Sequence, residues 1–261
     1  MFQYEASVAG GIPIIKGIDE SLTANKIETL YGIVNGTTNY ILSKMELEGA
    51  AFDDVLKEAQ EKGYAEADPT SDIESYDAQY KLAILASLAF GTKIDVDNVY
   101  REGITKITDV DMKYASEFKM AIKLLAIAKE VDGKVELRVH PTMIPKKHPL
   151  ANVYDSYNAV FIKGNAVGDL MFYGRGAGDL PTGSAVVSDI VSIVRSDVNT
   201  ENENPVVKNN LWKREIKAMD EVESKYYVRA TVLDEPGVLS EITTIFGKNN
   251  VSLRSVIQKG D

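Results

Sequence analysis

The residues best suited to chemistry fall between Gly63 and Lys81. Five carboxylates, Glu66, Asp68, Asp72, Glu74 and Asp77, precede a single lysine, Lys81. Pro69 and the Thr70-Ser71-Asp72 cluster mark a loop. Ser71 followed by Glu74 has the capping-box pattern, which predicts a helix from about Asp72. The apolar run Leu82–Phe90 should lie in that helix, and Gly91 should stop it. On such a helix Asp77 and Lys81 are four residues apart and share one face. A lysine beside a buried carboxylate, next to a carboxylate-rich loop, can bind a polar substrate and give it a proton. The same spacing also describes a surface ion pair worth a few tenths of a kcal/mol, and spacing alone favours that plainer reading.

Composition limits what those residues can belong to. The chain has 261 residues, enough for one large or two modest domains, with 44% hydrophobic and 26% charged residues, as in ordinary globular proteins. A net charge of -10 argues against nucleic acid or an anionic membrane as partner. The absence of cysteine removes disulfides, thiolate nucleophiles and cysteine metal sites, and fits a cytoplasmic protein. With only His140 and His148, a histidine triad or multi-histidine metal site is disfavoured. No apolar run reaches the length of a membrane span, and the N-terminus has no signal-peptide pattern.

The elements that must position the cluster can be read in order. Ile27–Val34 reads as a strand, followed by Asn35-Gly36-Thr37-Thr38-Asn39-Tyr40 and a helix to about Glu48, with Thr37 or Thr38 as its N-cap. Phe52–Lys62 reads as an amphipathic helix. Asp109–Val131 carries helical periodicity, and Lys134–Ile144 alternates at strand period. Asn158–Gly164 and Gly168–Tyr173 are two further strands, and a helix should start near Pro181 or Thr182. Lys146, Lys147 and His148 read as a solvated loop, and His140 as a packed strand residue. The expected class is α+β, a mixed or antiparallel sheet covered on one face by helices. Residues 197–225 read as a linker, clearest from Asn199 to Pro205. Tyr226–Leu233 and Val251–Lys259 read as strands flanking an amphipathic helix.

Three stretches together resemble the signature of homoserine dehydrogenases. They are Ala59-x-x-x-Gly63-Tyr64-Ala65, Asp68-Pro69-x-x-Asp72-Ile73 and Asp77-x-x-x-Lys81. The family has a glycine where this chain has Ser75. Tyr4–Pro13 and the Asn35–Tyr40 run are also similar to that family, and Asp234-x-Pro236-Gly237-Val238-Leu239 resembles the start of an ACT domain, a βαββαβ regulatory module. The resemblance implies a catalytic and dimerisation domain over 1–196, a linker over 197–225 and a partial, ferredoxin-like ACT domain over 226–261. In the family a nucleotide-binding domain precedes Tyr4, so the chain is expected to lack its main cofactor domain and to be inactive alone.

The implied reaction is reversible reduction of L-aspartate 4-semialdehyde to L-homoserine with NADPH or NADH, a step toward threonine and methionine. Lys81 would protonate the developing alkoxide and Asp77 would orient it. Glu66 would pair with the substrate ammonium, and Tyr64, Asp72 and Thr37 would line the pocket. Gly176 and Gly178, in the glycine-rich turn Gly174–Gly183, would contact the dinucleotide. The Glu5 side chain and the carbonyls of Val8, Gly10 and Ile12 would hold a monovalent cation, usually sodium, for which oxygen-only ligation is suited. A homodimer and an amino-acid effector at the ACT region complete the expectation. Two alternatives stay open: an amino-acid-binding regulatory module without turnover, and a dehydrogenase for another amino-acid-derived aldehyde.

Overall fold

The computed structural model describes residues 2–199 and 213–259. They form two compact units, Met1–Ser224 and Lys225–Asp261. The first unit holds α1 (Ile14–Lys16), β1 (Ile27–Ile33), α2 (Gly36–Glu48), α3 (Phe52–Glu61), α4 (Thr70–Ile73) and α5 (Tyr76–Phe90). It continues with β2 (Tyr100–Arg101), α6 (Asp109–Glu117), β3 (Met120–Val131), β4 (Lys134–Pro145), β5 (Tyr157–Gly164), β6 (Gly168–Arg175) and α7 (Asp179–Asn199). The second holds α8 (Val238–Lys248). Among the described residues no helix is long and apolar enough to cross a membrane.

The six strands make one sheet in the order β2-β4-β3-β1-β5-β6. All pairs are antiparallel except β2 with β4, so the sheet is mixed, as the sequence suggests. Alternation along β3 explains its apolar run. Ile122, Leu124, Ala126 and Ala128 join the core that includes Ile41 and Leu42 of α2 and Leu82 and Leu85 of α5. Ala121, Leu125 and Ile127 join a smaller cluster on the other face, with Ile144, Leu150 and Phe161. A strand buried on both faces reads as a continuous hydrophobic run.

That double burial defeats part of the sequence reading. Asp109–Val131 is not one helix: α6 ends at Glu117, Lys119 turns the chain at φ 58, and β3 follows. Leu and Ala have good helix propensity, but twelve backbone pairs with β4 decide the matter. The expected capping box at Ser71 is also absent. Thr70–Ile73 is a single short turn, with Asp68 Oδ1 accepting from the Thr70 N–H at 3.1 Å, and the long helix starts only at Tyr76. A capping box does form at Thr108 with Asp111, a position the sequence reading does not single out.

The expected strands at Tyr226–Leu233 and Val251–Lys259 are not formed among the described residues. A strand needs a neighbour to complete its ladder, and the two strands of a split βαβ unit leave a gap for a third between them. The helix between them does form, starting after Gly237 at φ 101. In the expected linker, residues 200–212 lie outside the described residues. Its later part docks on the sheet of the first unit: Val135 N–H donates to Glu215 O and Lys217 N–H donates to Val135 O, both at 2.9 Å.

Candidate functional site

The site is assembled where β1 ends, α2 begins and α4 meets α5. Asn35, not Thr37 or Thr38, is the N-cap of α2: its Oδ1 accepts from the Thr38 N–H at 2.9 Å. Asparagine ranks with the best N-caps, so the signal was present in the sequence and was missed. The Asn35 Nδ2 group points the other way and donates to Asp72 Oδ1 at 2.7 Å and Asp77 Oδ2 at 2.9 Å. One side chain therefore joins α2, α4 and α5.

Asp77 and Lys81 form the expected pair on α5. Lys81 Nζ lies 2.7 Å from Asp77 Oδ2 and donates to the Val34 carbonyl at 3.1 Å. An ammonium has three donors, so these two partners leave one for a further acceptor. The side chains are 21% and 29% exposed, respectively, so Asp77 is half-buried rather than buried and a small molecule can reach both.

Thr37 and Tyr64 also meet, because Thr37 Oγ1 donates to the Tyr64 carbonyl at 2.6 Å. The Tyr64 ring packs 4.9 Å from that of Tyr40, whose hydroxyl donates to Glu58 at 2.8 Å and accepts from Lys62 Nζ at 2.9 Å. These contacts tie the Gly63–Pro69 loop to α2 and α3. Glu66 stands exposed on that loop, with Gln60 Nε2 donating to its backbone carbonyl at 3.1 Å. The structure thus joins Asp72, Asp77 and Lys81 through Asn35, joins Thr37 with Tyr64, and leaves the Glu66 carboxylate facing solvent.

The junction ahead of Asp77 carries the chain's departure from the family pattern. Ser75 has φ 68, the left-handed region that favours glycine. It is fully buried, and its hydroxyl donates to the Glu102 carbonyl at 3.0 Å. Arg101 stacks 3.4 Å over the Tyr76 ring and donates to the Glu74 carbonyl at 2.8 Å.

The glycine-rich turn packs on the N-terminal loop. Gly11 N–H donates to Arg175 O at 3.0 Å, and a Cβ on Gly176 would stand 2.0 Å from Asn158 Nδ2. Gly176 therefore has a packing reason of its own. Gly178, at φ 115, sits one residue before α7. Glu5 is buried, and its two carboxylate oxygens accept from the N–H groups of Ile15 (2.8 Å) and Lys16 (2.9 Å). Each oxygen keeps a further acceptor position, and carboxylate oxygens are the donor type that a hard cation takes. The Ile12 carbonyl already accepts from Ile14 N–H at 2.7 Å.

Comparison with known proteins identifies the family of the chain. Residues 13–191 match the family model described as homoserine dehydrogenase, and residues 226–261 match the ACT domain model. A homoserine dehydrogenase of Neisseria gonorrhoeae is 49% identical over 99% of this chain, and that of Bacillus subtilis is 43% identical over 98%. The crystal structure of a homoserine dehydrogenase from Thiobacillus denitrificans superposes with a TM-score of 0.91, at 47% identity, over 98% of this chain and 60% of that one. A hyperthermophilic archaeal homoserine dehydrogenase mutant in complex with NADPH superposes with a TM-score of 0.63, at 32% identity, over 74% of this chain and 55% of that one. The chain spans 60% of the length of the Neisseria relative. By its family match, its relatives and its fold, the chain belongs to the homoserine dehydrogenase family.

Proposed function

We propose that this chain carries the substrate-binding and proton-handling part of an enzyme that reversibly reduces L-aspartate 4-semialdehyde to L-homoserine with NADPH or NADH. The observation that carries the reading is the Lys81 ammonium, fixed by Asp77 and the Val34 carbonyl with a third donor left over. A bound NADPH or NADH supplies the hydride that reaches the aldehyde carbon. Lys81 gives its proton to the carbonyl oxygen as that oxygen gains negative charge, and in the oxidation direction takes the hydroxyl proton back. Asp77 holds the ammonium in place and offsets its charge. Asp72 and Glu66 supply negative charge to the substrate's ammonium group, with Tyr64 and Thr37 shaping the wall. The turn through Gly176 and Gly178 would meet the dinucleotide at the start of α7. Glu5, Val8, Gly10 and Ile12 would hold a monovalent cation, whose charge would tie the N-terminal loop to that turn.

A homodimer and a cytoplasmic setting belong to the same reading. The open edge of β6, with Met171 and Tyr173 exposed, supports self-association. The ACT match supports an amino-acid effector at the C-terminal unit. The test is nicotinamide absorbance with L-homoserine in the full-length enzyme, with NADP and with NAD, for wild type and Lys81→Ala. Removing a general acid–base should cost roughly 10²- to 10⁴-fold in kcat. Undiminished turnover by Lys81→Ala would overturn the assignment.

A further inference from the structure

Lys81 and Asp77 form a pair, and the pair is itself held. Asp77 Oδ2 accepts two hydrogen bonds, from Lys81 Nζ and from Asn35 Nδ2. Asp72 Oδ1 takes the other donor of the same amide. Asn35 cannot turn to avoid this, because its Oδ1 is fixed by the Thr38 N–H and the Thr38 hydroxyl, each at 2.9 Å. A flipped amide would set an oxygen against two carboxylates and an NH₂ against an N–H. The network therefore determines the amide's orientation. Asn35 is 6% exposed, so these contacts are little diluted by water.

We infer that Asn35 is a positioning residue for the proton transfer: its amide clamps Asp77 behind Lys81 and sets Asp72 at a fixed distance beside them. This deepens the reading of Lys81 as the proton donor and rests on it. The physics gives the amide two tasks. It brings two carboxylates to one small group without mutual repulsion, since each receives an N–H. It also transmits the fixed end of β1 and the start of α2 to α5, so that the Lys81 ammonium stays on the substrate side. The lysine's own second anchor, the Val34 carbonyl, is the residue next to Asn35. Both restraints on the ammonium thus come from one point of the backbone.

Capping alone makes a different forecast from clamping, and one substitution separates them. Aspartate is as good an N-cap as asparagine. Asn35→Asp therefore keeps the cap on α2 but puts a third carboxylate where an N–H₂ faced Asp72 and Asp77. If Asn35 only caps, Asn35→Asp retains wild-type kcat. If it clamps, kcat falls about 10²-fold, as for a misplaced catalytic group. Activity should partly recover toward lower pH, where the added carboxyl takes up a proton and donates again. Asn35→Ser keeps a capping oxygen and loses both amide donors. It serves where Asn35→Asp unfolds, and should cost at least about tenfold in kcat, more than its loss of melting temperature explains. In an Asp77→Ala background, Asn35→Ser should cost little further kcat, because residues acting through one another do not add. Its remaining effect should appear in KM for homoserine, through Asp72.

The assay is steady-state homoserine oxidation by the full-length enzyme, with melting temperatures for each variant and Lys81→Ala alongside. An inactive Lys81→Ala with a wild-type Asn35→Asp and Asn35→Ser overturns the clamp and leaves the lysine assignment standing. A fully active Lys81→Ala overturns the lysine assignment and the clamp with it. Additive losses for Asn35→Ser and Asp77→Ala overturn the clamp.

Discussion

At the scale of single residues, the fold treats two lysines in opposite ways. Lys81 reaches solvent and has a third donor beyond those it gives to Asp77 and the Val34 carbonyl. Lys123, on the second face of β3, is completely buried. Its Nζ donates to the Val153 carbonyl at 2.7 Å and lies 4.4 Å from the centre of the Tyr154 ring. Burial pulls its pKa down to about 8, against the smaller opposing pull of Glu46 and Asp155. In the unfolded chain the lysine keeps its proton up to about pH 10.4. Between about pH 8 and 10.5 the unfolded state then binds more protons than the folded one, so this group makes stability rise with pH across that window. Below it, the buried charge costs on the order of 3 kcal/mol, because each tenfold loss of proton affinity on folding is worth about 1.4 kcal/mol. Lys123→Met fills similar space without the charge. Asn39 Nδ2, already 3.2 Å from the Val153 carbonyl, remains as that carbonyl's donor. Urea unfolding at pH 7 should therefore show Lys123→Met more stable by about 1–3 kcal/mol, the desolvation cost less the lost hydrogen bond. The advantage should fade as pH rises to 10.5, whereas a constant difference would show that Lys123 does not titrate as argued.

At the scale of elements, the site depends on how closely the α4–α5 junction lies against the turn after β2. Ile104 N–H donates to Ile73 O at 2.8 Å, and a Cβ on Gly103 would stand 2.4 Å from that same carbonyl. The obstacle is backbone, which cannot rotate away. Gly103→Ala should therefore push α4 from the turn and cost about 1–3 kcal/mol of stability by overpacking. Because Asp72 lies on α4 and Asp77 in the first turn of α5, homoserine oxidation should fall more than the melting temperature alone explains. Unchanged activity would show the junction tolerates displacement. The same elements show what sequence could disclose. The long helix through Lys81, its stop at Gly91 and the Asp77–Lys81 pairing follow from local spacing, and all are present. The fixing of Asp72 and Asp77 by Asn35 spans 37 and 42 residues, which no local pattern encodes. Its other half, Asn35 as cap, was local and legible. β3 was hidden for the opposite reason: a strand buried on both faces loses the alternation that would announce it. The left-handed Ser75 was legible only as a departure from a glycine, and its bond to Glu102 supplies what the sequence could not.

At the scale of the whole molecule, the two units differ in how much of themselves they bury. The first has an extensive core against the helices and a second cluster on the far face of the sheet. The C-terminal unit, Lys225–Asp261, is short and built around α8. Its apolar side chains face solvent instead: Tyr226, Val228 and Leu233 are 68%, 66% and 73% exposed, and Ile245 and Val256 are exposed as well. Scattered exposed apolar residues are ordinary, but this many within one short unit means its apolar surface is not used for folding. The docked segment that ends the first unit behaves differently. Arg214 pairs with Glu130 at 2.8 Å, Lys217 lies 3.4 Å from Glu136, and Val222 is buried. The boundary that matters for stability is thus the end of this segment. Ending the chain after Ser224 should leave the melting temperature of the first unit unchanged within about 2 °C, since that unit builds its core clusters from its own residues. It should also reduce self-association at high concentration, read by light scattering, because the exposed apolar surface goes with the deleted residues. Ending it after 212 instead removes the Arg214–Glu130 and Lys217–Glu136 ion pairs and leaves the buried Glu136 with Arg138 as its remaining cation. That chain should melt several degrees lower, since a buried charge stripped of a partner is costly. Equal melting temperatures for the two truncations would mean that residues 213–224 rest on the sheet without holding it.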